Sequence, residues 1–265
     1  MTMRLPIYQI DAFASAVFKG NPAAVVPLES WLPDATLQAI AMENNLSETA
    51  YVVREGDGWR LRWFTPAVEV DLCGHATLAT AHFILTRVTP GSERVSFATR
   101  SGRLEVTRTD DDRLALDFPS RPAAPVGDSA TAAAVADALG VRPQAVLAAM
   151  DYMAVLSDQA EVAGLRPDMG RLAKLDRRAV MATAPGRDCD FVSRFFAPGV
   201  GIPEDPVTGS AHCTLTPYWA KRLGKTALAA RQISARGGEL LCEDRGERVS
   251  IAGRAVLYLE GTIQI

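Results

Sequence analysis

The sequence predicts an α+β protein made of two similar halves, and three observations support this prediction. One stretch of the chain is repeated about half a chain length later. Within the halves, alternating or β-branched segments lie between Gly, Asp and Pro turns, a pattern typical of half-buried strands. Each copy of the repeat leads into a segment of helical spacing. The first of these is apolar nearly all round, which indicates a central helix covered by strands.

The repeat begins at Arg62 and again at Arg194, 132 residues later in a chain of 265 residues. Both copies read Arg, aromatic, Phe, any, Pro, any, Val, any, aliphatic. After a short insertion the match resumes, because residues 73–76 (CGHA) correspond to residues 208–211 (TGSA). We therefore expect a duplicated half-chain in which a strand, a Pro-containing turn and a helix start occur twice. Neither half has a Gly-x-Gly-x-x-Gly turn, which disfavours a nucleotide-binding doubly wound sheet.

The strands of the first half are predicted from alternation and from β-branched and aromatic residues. In chain order they cover residues 8–13, 48–53, 59–64, 94–98, 104–107 and 114–118. A helix is predicted over residues 34–44, since Pro33 precedes it and Asn44 and Asn45 close it. A second helix is predicted over residues 74–86.

The counterpart of this second helix in the other half is predicted over residues 209–223, ending at Gly224. Pro217 lies within it, and because proline lacks a backbone N–H we expect a kink or an early stop there. Residues 119–134 are rich in Ser, Ala and Pro and are expected to join the two halves.

The composition disfavours several classes of function. Lys and Arg number 28 against 31 Asp and Glu, a net charge of −3, so no basic stripe for nucleic acid is expected. The N-terminal residues have no apolar signal-peptide core, and charges interrupt residues 130–156, so no membrane segment is expected. The four cysteines have no Cys-x-x-Cys spacing, which disfavours a zinc knuckle and a disulfide framework. A cytoplasmic location is the simplest expectation.

The two helix starts are predicted to bind anions. The first N–H groups of a helix lack intrahelical partners, and the helix dipole adds partial positive charge. Gly74 and Gly209 open the two helices, and each is followed two residues later by Ala. The alternative is that these small residues only permit close packing of strand and helix.

The residues beside the two glycines differ. The helix start is expected to keep the ring of His75 neutral, as a hydrogen-bond donor or proton relay. Ser210 takes the corresponding place in the second copy, which suggests one proton donor and one binding end. Asp205 precedes the second helix start, where a carboxylate often accepts backbone N–H bonds, and a simple capping role is the alternative.

Glu48 and Cys73 are candidate proton-transfer groups. Glu48 shares strand parity with Leu46, Ala50 and Val52, so its carboxyl group is expected on an apolar face. A carboxyl group there suits a general acid/base, although a glutamate at a strand start also commonly reaches solvent. Cys73 adjoins a helix start, which lowers the pKa of a thiol, so it is a candidate nucleophile or base. The second copy has no matching thiol, which disfavours a two-thiol racemase.

No metal site is predicted. His75 and His82 are two helical turns apart, about 10 Å along the axis, and one ion cannot bind both. His82 is expected in the core. His212 is expected either to pack or to support the second helix start.

Four groups of residues together resemble the phenazine-biosynthesis PhzF-like family, in its order and spacing over nearly the full chain. They are residues 11–13 (DAF) with 20–23 (GNPA), residues 45–49 (NLSET), residues 73–77 (CGHAT) and residues 205–211 (DPVTGSA). The resemblance implies the diaminopimelate epimerase-like fold. In this fold two pseudo-symmetric domains each wrap bent antiparallel strands round a central helix, with the active site in the cleft between them.

The resemblance also implies the domain organisation. In that fold the last strand can return to the first domain. We therefore expect an N-terminal half of residues 1–118, joined by residues near 256–265, and a C-terminal half of residues 119–255. Members of the family are commonly homodimers and use no cofactor, which sets the same expectations here.

Roles for individual residues follow from the same resemblance. Glu48 is similar to the family's proton-shuttling acid/base. His75, Asp205 and Ser210 match residues that orient the substrate and assist the transfer. The implied substrate-binding residues are Asn21, Cys73, Gly74 and Gly209. The phenazine enzyme itself isomerises a dihydro-hydroxyanthranilate, and the motifs do not establish that substrate here.

The first hypothesis is therefore a cofactor-independent isomerase that acts on a small carboxylate, with Glu48 as acid/base. Two alternatives remain open. One is an amino-acid epimerase or racemase in which Cys73 serves one face, although related racemases use a pair of cysteines. The other is a non-catalytic protein that binds a metabolite.

Overall fold

Residues 3–265 are described by a computed structural model of the chain, and they form two compact units. The first unit comprises the chain up to Asp117 together with Ala252–Ile265, and the second comprises Phe118–Ile251. Among the described residues, no helix combines the length and the apolar character that crossing a membrane requires.

The structure mixes strands with a smaller number of helices. The strands are β1 (Arg4–Ala12), β2 (Asn21–Leu28), β3 (Glu48–Glu55), β4 (Gly58–Phe64), β5 (Glu69–Val70), β6 (Arg94–Thr99), β7 (Gly102–Arg108), β8 (Leu114–Pro119), β9 (Ala124–Pro125), β10 (Ala145–Ala148), β11 (Tyr152–Val155), β12 (Val180–Pro185), β13 (Phe191–Ala197), β14 (Ile202–Asp205), β15 (Ala227–Gln232), β16 (Gly238–Asp244), β17 (Arg248–Gly253) and β18 (Ala255–Gln264). The helices are α1 (Asp34–Asn44), α2 (Gly74–Phe83), α3 (Ser129–Leu139), α4 (Gln159–Gly164), α5 (Met169–Leu172) and α6 (Gly209–Leu223).

The first unit is a mixed sheet around α2. β1 pairs antiparallel with both β18 and β2, so the C-terminal strand completes this unit. β2 pairs parallel with β3, β3 antiparallel with β4, β4 parallel with β6, and β6 antiparallel with β7. Nearly every residue of α2 is buried, because the helix packs against β1, β2, β3 and β18.

The second unit repeats this series of pairings. β10 pairs antiparallel with β11, β11 parallel with β12, β12 antiparallel with β13, β13 parallel with β15, and β15 antiparallel with β16. Helix α6 precedes β15 as α2 precedes β6, and it packs against β15 and β16. The predicted duplication is therefore present as a structural repeat.

The repeated arginine makes the same contacts in both copies. Arg62 forms a two-pronged ion pair with Glu69, at 2.7 and 2.8 Å, and lies over the ring of Phe64. Arg194 pairs in the same way with Glu204, also at 2.7 and 2.8 Å, and lies over the ring of Phe196. Such planar paired contacts are a reason for arginine rather than lysine at this position.

The predicted helices occur, with two differences. Helix α1 has the predicted bounds, and Asn45 closes it in the left-handed conformation, with φ of 48°. Helix α2 ends at Phe83, earlier than predicted, and continues as a π-helical turn, Ile84–Val88.

Of the kink or early stop predicted at Pro217, the early stop does not occur, because α6 continues through the proline to Leu223. A proline at this position leaves the carbonyl of Cys213 without its helical N–H donor. The backbone N–H of Arg121 donates to that carbonyl instead, at 2.9 Å. A segment distant in sequence thus satisfies the group that the proline leaves open.

Strand β2 and the elements within the expected join are among those that were not predicted. Strand β2 contains Pro22 and Pro27, which argue against a strand in the sequence, yet it lies between β1 and β3. The expected join over residues 119–134 includes β9 and the start of α3. Asp128 caps α3, since its carboxylate accepts from the backbone N–H groups of Ala130 and Thr131.

Candidate active site

Two strand starts and one helix start place three polar side chains together in the first unit. β2 begins at Asn21 and β3 begins at Glu48, and the two strands pair in parallel with Ala23 opposite Glu48. Helix α2 begins directly after the extended residue Cys73, so His75 lies on its first turn. Because α2 packs on β2 and β3, His75 faces both strand starts.

His75 lies between Glu48 and Asn21. Its Nε2 atom is 3.0 Å from Oε2 of Glu48, and its Nδ1 atom is 3.3 Å from Nδ2 of Asn21. The hydroxyl of Ser47 donates to Oδ1 of Asn21 at 3.3 Å, which turns the amide NH₂ group toward His75. The Asn21 amide and the Glu48 carboxylate thus lie beside different nitrogens of the ring.

Burial and charge act in opposite directions on His75, whose side chain is 7% exposed. Burial alone lowers the pKa of the imidazole, because it disfavours the charged ring. Cys73 and Glu48 oppose this effect, and the pKa of His75 is raised well above 6.5. The prediction that the helix start keeps this ring neutral is therefore wrong, because it omitted the carboxylate that β3 places 3.0 Å away.

The pKa of the Cys73 thiol also differs from the prediction made from the sequence. Its Sγ atom lies 3.5 Å from Nδ1 of His75, and the residue is 6% exposed. Burial, with the charge of Glu48, raises the pKa of the thiol to about 11. The predicted lowering of this pKa is wrong, and at neutral pH the thiol stays protonated and is a poor base.

Glu48, Cys73 and His75 place three potential metal-ligand atoms within 4.8 Å of one another. Glu48 lies nearest Nε2 of the imidazole ring and Cys73 nearest Nδ1, so the three residues form one compact group. The expectation that the chain has no metal site stays a prediction.

The second unit has its own helix start, at the beginning of α6. Asp205 ends β14, and its Oδ2 atom accepts from the hydroxyl of Thr208 at 2.5 Å. Gln232, at the end of β15, is fully buried and accepts from the backbone N–H of Thr208 at 2.9 Å. The same side chain donates to the carbonyl of Asp205 at 2.7 Å, so Gln232 fixes the backbone on which α6 starts.

Ser210 lies on the first turn of α6 and contacts Arg178. Nη2 of Arg178 donates to Oγ of Ser210 at 3.4 Å. The same guanidinium forms a two-pronged ion pair with Asp151, at 2.8 and 3.0 Å. The residue that replaces His75 in the repeat thus has a cation, not a carboxylate, beside it.

The other two histidines have separate surroundings. The Nδ1 atom of His212 donates to the carbonyl of Thr208 at 2.8 Å, and its ring packs near Phe191. Burial lowers the pKa of His212 to about 4, so this ring is neutral near pH 7. His82 is half-buried and lines a cavity of about 110 Å³ with Arg108.

The structure groups the predicted site residues by unit. The first unit brings together Asn21, Glu48, Cys73, Gly74 and His75. At the start of α6, the second unit holds Asp205, Gly209 and Ser210.

Sequence analysis missed Ser47, Arg178, Asp151 and Gln232. Ser47 lies inside a recognised motif, so its position next to Glu48 was a usable signal. The other three lie 22 or more residues from Ser210 in sequence and belong to no motif. Only the pairing of β11 with β12 and of β15 with β13 brings them to the start of α6.

Comparison with known proteins gives consistent results. The sequence matches the family described as "Phenazine biosynthesis-like protein" over residues 10–261. It is 54% identical over 264 residues to a protein of Pseudomonas aeruginosa named as an uncharacterized isomerase, covering 99% of this chain and 100% of that protein. The family resemblance and the prediction of an isomerase are therefore confirmed.

Solved structures also match over nearly the full chain. A PhzF-family protein from Enterococcus faecalis superposes with a TM-score of 0.93 at 47% identity, covering 98% of this chain and 99% of that one. A predicted epimerase from P. aeruginosa superposes with a TM-score of 0.75 at 22% identity, covering 98% and 99%. The second likeness shows the fold alone, and with the first it confirms the predicted fold class.

Proposed function

Because this chain belongs to the phenazine biosynthesis-like protein family and is an isomerase, we propose that it moves a proton within a small carboxylate substrate, with Glu48 as the acid/base. The observation that carries this proposal is the contact of 3.0 Å between the Glu48 carboxylate and the buried ring of His75. A carboxyl group held in this way can both accept and return a proton.

The proposed reaction has two steps. The Glu48 carboxylate takes a proton from a carbon next to a carbonyl or unsaturated group, and the electron pair of that C–H bond is delocalised over the substrate. Glu48, now a neutral carboxylic acid, then gives the proton to another carbon. The same atoms are present before and after, so the substrate is isomerised and Glu48 returns to its starting state.

His75 is proposed to orient Glu48 and assist the transfer. Its Nε2 atom lies 3.0 Å from Oε2 of the carboxylate, so the ring is the polar neighbour of that oxygen in a buried site. The buried amide of Asn21 holds the opposite edge of the ring, so the imidazole cannot turn away. Asn21 therefore supports the pair, in addition to its predicted role in substrate binding.

The helix starts are proposed to hold carboxylate or developing anionic groups of the substrate. Neither Cys73 nor Thr208 caps its helix with a side-chain hydrogen bond. The amides of Gly74 and Gly209 are therefore not occupied by the preceding side chain, and such groups stabilise anions. Asp205 and Ser210 are proposed to orient the substrate at the second start.

The epimerase alternative depends on Cys73 as a base. Inversion at a carbon requires a base on each face, and the thiol of Cys73 has a pKa of about 11. The residue before α6 that corresponds to Cys73 is Thr208, whose hydroxyl already donates to Asp205. These contacts favour a reaction in which one carboxyl group transfers the proton over a reaction that uses two thiols. The cofactor-free reaction and the homodimer remain predictions.

The experiment is proton NMR in D₂O with small carboxylic, amino and cyclohexadiene acids, comparing wild type with three variants. Glu48→Gln keeps the shape of the side chain and removes the base, so turnover should fall by about 10²-fold or more. Cys73→Ser should retain turnover. Glu43→Gln, an exposed position on α1, is the matched control and should equal wild type.

The outcomes separate the three hypotheses. Loss of turnover in Glu48→Gln alone, with product that retains its original hydrogen, supports the carboxyl shuttle. Loss in Cys73→Ser, with inversion and deuterium uptake, indicates the epimerase. An unchanged rate in Glu48→Gln on an identified substrate would exclude the proposal. A ligand that binds all the variants without turnover would support the binding protein.

A further inference from the structure

Arg178 lies beside the start of α6 in the second unit and has no role in the proposed chemistry so far. Its Nη2 atom donates to Oγ of Ser210 at 3.4 Å. The Arg178 side chain is 42% exposed, whereas its partner Asp151 is 3% exposed. The guanidinium therefore presents a positive charge toward solvent at the first turn of a helix.

Asp151 fixes the direction of this guanidinium. It accepts from Nε at 2.8 Å and from Nη2 at 3.0 Å, so the planar group is held along one edge. The two residues come just before β11 and β12, which pair in parallel with Tyr152 opposite Val180. Arg177 ties the same segments together, because its Nη1 atom donates to the carbonyl of Ala149. Such a group needs little reordering when it binds a ligand.

The hydrogen bonds of Arg178 and Ser210 leave a donor on each of these two side chains for a ligand. Within residues 3–265, Nη1 of Arg178 has no acceptor. Because Ser210 accepts from Arg178, the hydrogen of its own hydroxyl remains available. The side chain of Thr208 does not cap the first amides of α6. An anionic ligand beside these two side chains can therefore accept from Nη1 of Arg178 and from the hydroxyl of Ser210.

A structural role for the Arg178–Asp151 pair is the competing interpretation. If the pair only joins the two segments, the hydrogen bonds from Arg178 to Asp151 are sufficient for that role. It does not require a further contact with Ser210, nor an exposed Nη1 atom beside a helix start. The two interpretations differ in a measurable way, since only one predicts that Arg178 binds an anion.

We propose that Arg178 binds a carboxylate group of the substrate at the start of α6, with Asp151 as its positioning residue. One carboxylate oxygen accepts from Nη1 of Arg178 and the other from the hydroxyl of Ser210. The inference rests on the proposed function, because it takes the ligand to be the carboxylate substrate of the isomerase. It makes a carboxylic acid the preferred substrate over its amide.

The test uses benzoate as the probe and benzamide as its neutral counterpart, titrated into the full-length protein and followed by calorimetry and by NMR. Wild type should bind benzoate and show no measurable affinity for benzamide. Arg178→Gln should weaken benzoate binding at least 10-fold, about 1.4 kcal/mol. Arg178→Lys keeps the charge but loses the planar guanidinium group, so its affinity for benzoate should lie between those of wild type and Arg178→Gln.

Lys221→Gln is the matched control. It removes a positive charge from the last turn of the same helix, about 16 Å along the axis from Ser210. This variant should bind benzoate as wild type does. If Arg178→Gln does not fold, as judged by circular dichroism, the comparison between Arg178→Lys and wild type decides the result.

Three results would overturn the inference: unchanged benzoate affinity in the arginine variants, equal loss in Lys221→Gln, or equal wild-type binding of benzoate and benzamide. Absence of benzoate binding to wild type up to its solubility limit would also overturn it. Glu48→Gln should still bind benzoate, so the two proposals fail separately. If turnover depends on Glu48 but benzoate binding does not depend on Arg178, only this inference is lost.

Discussion

An alanine at position 20 would place its Cβ atom 2.1 Å from the carbonyl oxygen of Ala12 and 2.8 Å from Cβ of Ala14. Gly20 also has a φ of +65°, in the left-handed region that side chains disfavour. An ordinary contact of a Cβ atom begins near 3.4 Å, so the backbone would have to move by about 1.3 Å to relieve the contact with the Ala12 oxygen. Ala12 is the cross-strand partner of Asn21, so this movement reaches the residue that holds His75.

The cost of Gly20→Ala has two parts. Left-handed backbone costs about 1–2 kcal/mol for a residue with a Cβ atom. Crowding against the neighbouring backbone costs about 1–3 kcal/mol more. Gly56→Ala is the matched control, since Gly56 has a φ of +56° and nothing within 4 Å of the added Cβ. We expect Gly56→Ala to show the first cost and Gly20→Ala to show both.

The assay is urea unfolding of both variants, together with the NMR signals of the His75 ring. Gly20→Ala should lower the free energy of unfolding by about 1–3 kcal/mol more than Gly56→Ala. It should also shift the His75 signals, which Gly56→Ala should leave in place. Equal stability of the two variants with an unmoved His75 signal would refute the close approach and its link to the site.

Two further predictions concern ionisation in the first unit. By NMR, His75 should titrate above pH 6.5 in wild type and at a lower pH in Glu48→Gln. Because the pKa of the folded protein is raised, the charged ring stabilises the fold fully below pH 6.5. This contribution to stability is lost as the pH rises through the pKa of the folded protein. A wild-type midpoint at or below 6.5 would contradict this. The thiol of Cys73, with a pKa of about 11, should resist alkylation by iodoacetamide at neutral pH. Mass spectrometry of the peptide that contains Cys73 measures the extent of alkylation. Rapid modification would restore Cys73 as a candidate base.

The parts of the fold that the sequence predicts are those encoded by local signals. Helix α1 has the predicted bounds, because Pro33 and Asn45 mark its ends. Strand β2 was missed, because its prolines are local signals against a strand, whereas its pairing with β1 and β3 depends on distant residues. The early stop that was one expectation at Pro217 does not occur for the same reason, since the N–H that donates to the carbonyl of Cys213 comes from Arg121.

The electrostatics of the site could not be inferred from local sequence either. The helix-start argument concerns only the backbone around Cys73 and His75, and it predicts lower pKa values for both. For Cys73 the larger effect is burial, which raises the pKa of the thiol. For His75 the helix-start argument omits Cys73 and Glu48, and Glu48 lies 27 residues earlier in sequence but 3.0 Å away in space. A charge at that distance in a buried site outweighs a helix dipole, whose effect is about 0.3–2 kcal/mol.

The two helix starts show how a duplicated element acquires two chemistries. Their first residues have the same extended backbone, with φ and ψ of −141° and 108° at Cys73 and −116° and 99° at Thr208. A symmetric pair of bases would require similar neighbours, but His75 faces a carboxylate whereas Ser210 faces a guanidinium. We therefore propose that the first start exchanges a proton and that the second presents the Arg178 cation to a ligand. If both Glu48→Gln and Arg178→Gln leave turnover and binding unchanged, this division between the two copies is wrong.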